Sequence, residues 1–106
     1  SSLKHWHGAE DELVYVLEGE ITLVEGAEEH VLRAGDAATF RAGVPVGHYL
    51  HNRSESPTRC FVVGTRATVD TITYPDHDRV CHRDRSLQAD VWTDFAGKPA
   101  ESAYRL

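Results

Sequence analysis

The chain has 106 residues, 41% hydrophobic and 26% charged, with a net charge of −6 and a pI near 5.5. That length bounds it to one domain, and no apolar run approaches the ~20 residues of a membrane-spanning helix. The acidic balance argues against nucleic acid or an anionic membrane as the main partner. Cys60 and Cys81 are too few for a disulfide scaffold and lie outside any C-x-x-C spacing, so a reducing, cytoplasmic setting is expected. The chain begins Ser1-Ser2-Leu3-Lys4, with no methionine and no hydrophobic leader. It reads as processed or as a fragment, and a removed signal would leave no trace. Seven histidines are the unusual figure, because imidazole is the commonest metal ligand among side chains.

In chain order, the first candidate element is His5-Trp6-His7. Strand alternation puts both imidazoles on one face and the indole on the other. At ~3.3 Å per residue their Cα atoms stand about 6.6 Å apart, close enough for both rings to reach one ion. After the Gly8-Ala9 turn, Glu12 opens the run Leu13-Val14-Tyr15-Val16-Leu17, which Glu18-Gly19-Glu20 ends. Residues 21–24 and 30–33 flank Glu25-Gly26-Ala27-Glu28 and read as a hairpin. Ala34-Gly35-Asp36 turns the chain into the short strand Ala38-Thr39-Phe40. A glycine- and proline-bearing stretch, residues 42–47, precedes a strand over residues 48–51, and a polar loop leads on to residues 60–63. Strands spaced at roughly ten residues between glycine turns predict an antiparallel sandwich or barrel.

Beyond Thr65 the signal weakens. Residues 69–74 alternate like an edge strand that Pro75 stops. Residues 76–90 are charged and aperiodic and read as a solvated loop with a short turn. Residues 91–95 suggest a last strand before Ala96-Gly97-Lys98-Pro99. Residues 1–66 are thus expected to form the barrel core, and 67–106 the edge strands and tail of the same domain. Residues 13–17 and 61–63 are apolar on both faces, so the face turned away from the interior needs a tail or a partner subunit over it. A homodimer is the expectation.

The chemistry concentrates in His5, His7, Glu12 and His48, an N/O donor set suited to Fe, Mn, Ni, Zn, Co or Cu. A lone His-x-His is more often two surface histidines than a metal site. The spacing of the whole set changes that. The string His5-x-His7-x4-Glu12-x6-Gly19, then fifteen residues, then Gly35-x5-Arg41-Ala42-Gly43 and His48-x3-Asn52, resembles the two motifs of the cupin superfamily. The likeness is to a small single-domain bacterial cupin and covers residues 5–66. It implies an all-β, cupin-type antiparallel barrel of double-stranded jelly-roll form, with one divalent transition metal at His5, His7, Glu12 and His48.

The chain departs from the pattern in three places. Arg41 stands where cupins have proline. Four residues, Val44 to Gly47, separate Gly43 from His48 where cupins have two. If this insertion bulges out, His48 keeps its register and Asn52 falls at the expected spacing; if not, His51 becomes the ligand, since the two face opposite ways. The glycine that opens the first motif would precede Ser1, so leading strands of the barrel are expected to be missing.

Four protein ligands on an ion that accepts six leave two positions open, the mark of catalytic rather than structural sites. Lewis-acid activation of a carbonyl or hydroxyl and oxygen activation are then available. The resemblance implies the same spread, from isomerases, lyases, decarboxylases and dioxygenases to storage and ligand-binding proteins. Two readings follow: a metal-dependent enzyme on a small oxygen-rich metabolite, or a non-catalytic module binding a small molecule or metal. A phosphorylated substrate would want a cation beside the metal, and Arg33, Arg41 and Arg53 are nearest in sequence. Arg41 is the most suggestive because it replaces the proline, although a solvated rim arginine is the ordinary reading. Tyr74-Pro75-Asp76-His77-Asp78 reads as a charged turn, His30 and His82 as surface residues, and Cys60 as core. Cys81 stands beside His82, but nothing nearby completes a catalytic Cys–His arrangement. Tyr15 and Tyr49 are candidates to line a pocket, although an aromatic in a strand is more often packing.

Overall fold

The computed structural model describes residues 2–106. Its strands are β1 (Trp6–His7), β2 (Glu12–Glu18), β3 (Glu20–Glu25), β4 (Glu28–Arg33), β5 (Ala37–Phe40), β6 (His48–His51), β7 (Arg59–Gly64), β8 (Val69–Tyr74), β9 (Arg79–Asp84) and β10 (Val91–Thr93), with one 3₁₀ turn at Ala103–Arg105. They form three antiparallel sheets, in the orders β5-β2-β7, β4-β3-β6 and β1-β8-β9-β10. Consecutive strands β2 and β3 belong to different sheets, and Gly19 makes the corner between them. Its φ of +78° favours glycine, and a Cβ there would lie 2.7 Å from the Pro57 carbonyl. Only glycine avoids both the strain and the clash.

Alternation along β2 builds the interior. Val14 and Val16 are buried between the sheets with Leu23, Leu32 and Phe40, whereas Tyr15 and Leu17 face outward. Burying one such aliphatic side chain stabilises the fold by about 1.5–3 kcal/mol. The expected hairpin forms between β3 and β4, in register from Glu20 opposite Arg33 to Glu25 opposite Glu28. β7 pairs only with β2 and lies at the edge of its sheet. There Phe61, Val62 and Val63 are all exposed.

The C-terminal third is more ordered than its sequence suggests. Residues 79–84, expected as part of a solvated loop, are the strand β9, and β8 is an inner strand between β1 and β9 rather than an edge. The reason is composition. Only Val80 and Cys81 are apolar in β9, so no alternation shows, yet Cys81 is buried beside Ile72 and Tyr74 in a second small core. The charged residues of this region find partners instead, Arg83 with Asp90 at 3.0 Å and Arg85 with Glu10 at 3.1 Å. Both cysteines are free, and no helix among the described residues is long and apolar enough to cross a membrane.

Candidate metal centre

Three elements deliver the four side chains singled out above. Residues 5 and 7 come from β1 and its immediate approach, Glu12 from the first position of β2, and His48 from the first position of β6. The backbones of His5 and His48 are bridged directly, with N···O distances of 3.1 and 2.9 Å. The stretch 42–47 loops outward, leaving Val44 and Val46 exposed. The insertion therefore costs His48 nothing in register: it is buried and turned to the cluster, while His51 faces solvent.

Glu12 Oε1 is the point of convergence. Nε2 of His7 and of His48 each lie 3.1 Å from it, and Nε2 of His5 lies 3.8 Å away. Donor atoms of His5, Glu12 and His48 stand within 4.8 Å of one another, and His7 joins them through Glu12. The rings are held from behind. His5 Nδ1 meets the Leu3 carbonyl at 2.7 Å and His7 Nδ1 meets Asp70 Oδ2 at 2.6 Å. Phe40 stacks on His48 at 3.7 Å, nearly parallel at 6°.

Asp70 was absent from the sequence reading. It is buried in β8, where its other oxygen accepts from the backbone N–H of Ala9 at 2.8 Å and of Thr71 at 2.9 Å. An aspartate inside an alternating strand is against strand preference, and that was the available signal. Glu10 was also missed. It is buried, pairs with Arg85, and its carboxylate fills the space where a Cβ on Gly64 would come within 2.8 Å. His7, Glu10 and Asp70 form a second group with donor atoms within 4.8 Å of each other.

The electrostatics follow from these distances. Burial alone would raise the Glu12 carboxyl, but the imidazoles of His48, His5 and His7 outweigh it and hold Glu12 well below the usual carboxylate range. Burial would likewise lower His7, yet hydrogen bonding to Glu12 and Asp70 raises it above 6.5. The donor set suits a cation. With Nδ1 donating to Leu3 or Asp70, Nε2 of His5 and His7 presents its lone pair toward a carboxylate oxygen. Two acceptors facing at 3.1 Å need a proton or a metal ion between them.

The other candidates do not join this cluster. His30 and His82 are exposed, and residues 76–78 lie on the turn after Pro75. Tyr15 and Tyr49 are absent from the wall of the cavity that opens over the cluster. Arg33 and Arg53 are engaged with Glu20 and Glu29. That cavity holds about 190 Å³ and is bordered by Trp6, Glu10, Phe40, Arg41, Val44 and Val46 besides His7, Glu12 and His48 of the cluster. Trp6, expected to point away from the histidines, thus borders the same cavity.

A jelly-roll barrel with three imidazoles and a carboxylate gathered at a cavity defines the class: an all-β protein with a candidate metal centre. The Cupin domain family model matches residues 1–64, and the chain belongs to the cupin superfamily. It is similar to a sugar phosphate isomerase of that superfamily from Silicibacter pomeroyi, at 40% identity and a TM-score of 0.87. That match covers 96% of this chain and 64% of the other. A candidate sugar phosphate isomerase from Acidithiobacillus ferrooxidans matches at 26% identity and a TM-score of 0.80, over 93% of this chain and 62% of that one. No curated protein matches.

Proposed function

We propose that the chain is the metal-binding barrel of a cupin isomerase acting on a small phosphorylated sugar. The observation that carries this reading is the convergence of His5, His7 and His48 on one oxygen of Glu12 beside a cavity. These four residues would hold one divalent transition metal, and a metal held there supplies Lewis-acid polarisation of a sugar carbonyl or hydroxyl. The similarity to the Silicibacter protein supplies the substrate class. Isomerisation also needs a group that takes a proton from one carbon and returns it to the next. Glu10 is a carboxylate on the cavity wall outside the donor set, and Arg85 fixes its position.

The test is turnover. Protein stripped with a chelator and reloaded with one metal at a time is incubated with aldose and ketose phosphates, and the products are followed by proton NMR. Interconversion that disappears on chelation and in Glu12→Gln supports the reading. A second reading has one observation in its favour: the 190 Å³ cavity is smaller than the ~300–1,000 Å³ usual for small-molecule sites. A module that holds an ion or a very small ligand without turnover fits that size. Stoichiometric metal with no interconversion of any sugar phosphate would select it.

The exposed apolar strand β7 supports a homodimer, with a second copy laid along Phe61, Val62 and Val63. An unpaired edge of this kind is a template for strand addition. Sedimentation should show dimer, and Val62→Lys should return it to monomer. The free cysteines suit a reducing compartment, and on that ground we place the protein in the cytoplasm.

A further inference from the structure

We infer that Arg41 is the anchor for the phosphate group of the substrate, so that the phosphorylated end sits at the cavity mouth and the reacting end faces the imidazoles. This rests on the isomerase reading and names a specificity residue within it. Arg41 follows directly on Phe40, whose ring is stacked against His48. The chain is therefore pinned to the cluster one residue before the arginine. Arg41 borders the cavity over the cluster and also a neighbouring one of about 340 Å³ lined by Val63 and Thr65, while Glu12, Thr39 and Phe40 border both. It stands where the two openings meet.

Charge makes the case. Among the residues lining the cavity over the cluster, the carboxylates are Glu10, Glu12 and Glu25, and Arg41 is the one arginine or lysine. A phosphate monoester, carrying up to two negative charges, would be repelled from that wall without a cation. Five other arginines, Arg33, Arg53, Arg59, Arg83 and Arg85, are committed to carboxylates at 2.8–3.8 Å. Arg41 is exposed and makes no ion pair among the described residues. Asp11, which borders the neighbouring cavity with Arg41, spends its Oδ1 on the backbone N–H of Ala42 at 2.7 Å. A free guanidinium fork at the mouth of this small cavity matches two phosphate oxygens at once, which an ammonium does not.

The probe is inorganic phosphate, titrated into chelator-treated protein and followed by amide and arginine side-chain NMR shifts. The expected result is saturable binding with shifts at Arg41, Thr39, Phe40 and Ala42. Arg41→Ala should weaken it by about 10- to 100-fold, the range for losing a hydrogen bond to a charged group, and Arg41→Lys should restore only part. Arg105→Ala, on the C-terminal turn, should leave it unchanged. No saturable phosphate binding by the wild-type protein, or equal binding by Arg41→Ala, overturns the assignment. Turnover separates the two claims. If Arg41→Ala raises KM for a sugar phosphate and leaves kcat nearly unchanged, both stand. Sugar phosphates turned over with the same kcat/KM in Arg41→Ala would sink the anchor and leave the isomerase reading intact. Phosphate held by Arg41 without any turnover leaves the anchor standing and removes the isomerase.

Discussion

Replacing Asp70 by asparagine should disarm His7 without unfolding the protein. One carboxylate oxygen accepts from Ala9 N–H at 2.8 Å and Thr71 N–H at 2.9 Å, and the other meets His7 Nδ1 at 2.6 Å. In Asp70→Asn the amide oxygen keeps the two backbone donors, which leaves its NH₂ group pointing at His7. Nδ1 must then accept, the ring proton moves to Nε2, and the lone pair needed by a metal is lost. Outer-sphere partners of ligating histidines are worth 10- to 100-fold in affinity. Metal binding should therefore weaken by about 1.4–2.7 kcal/mol. Asp70→Ala should also destabilise the fold by about 1–3 kcal/mol, because it orphans a buried donor. Calorimetric titration with zinc measures the affinity, and long-range ¹⁵N correlation spectra report the tautomer of His7. Wild-type affinity in Asp70→Asn with the proton still on Nδ1 would refute the reasoning.

His7→Ala and His48→Ala should each abolish stoichiometric metal by elemental analysis, whereas His51→Ala should keep it, because His51 faces solvent. Gly64→Ala should destabilise by about 1–3 kcal/mol in a denaturant titration, since its Cβ would meet the Glu10 carboxylate at 2.8 Å and must push it from Arg85. Metal-free protein should be most stable, by thermal melting, between pH 4.5 and 6.5. Glu12, depressed below 4.5, gives stability that is complete above that value and lost on acidification. His7, raised above 6.5, gives stability complete below that value and lost as the pH climbs through the folded value. A metal should stabilise most on the alkaline side, where no proton competes for His7, and His7→Ala should flatten the alkaline limb of the metal-free profile.

The barrel was legible because short β-branched and apolar runs recur at roughly ten-residue spacing between glycine turns, so the strands from β2 to β7 are where the sequence puts them. Which face of β2 goes inward was not legible, since residues 13–17 are apolar throughout; the structure buries Val14 and Val16 and turns Tyr15 and Leu17 outward. The convergence of His5, His7, Glu12 and His48 was legible for a different reason: two of them share a strand face, and the motif spacing supplied the others. The surrounding groups were not. Asp70 lies 63 residues from His7, and Arg85 lies 75 residues from Glu10. No local rule links residues at such separations. Strand β9 escaped notice because its stability comes from Cys81 in a core shared with Ile72 and Tyr74, and from the ion pair of Arg83 with Asp90. Such contacts leave no periodic trace.

These unread contacts are also what makes the site depend on the whole domain. Glu12 belongs to the β5-β2-β7 sheet, His48 to β4-β3-β6, and His7 to β1-β8-β9-β10, where Asp70 backs it. Each sheet supplies part of the cluster, and none can assemble it alone. A cation drawn to Glu12 would tie the three sheets together and stabilise the folded chain by mass action. The reverse also holds. Damage to the C-terminal sheet, remote from the first motif in sequence, should loosen His7 through Asp70 and lower metal affinity before the barrel itself gives way. The tail belongs to the candidate metal centre, through Asp70.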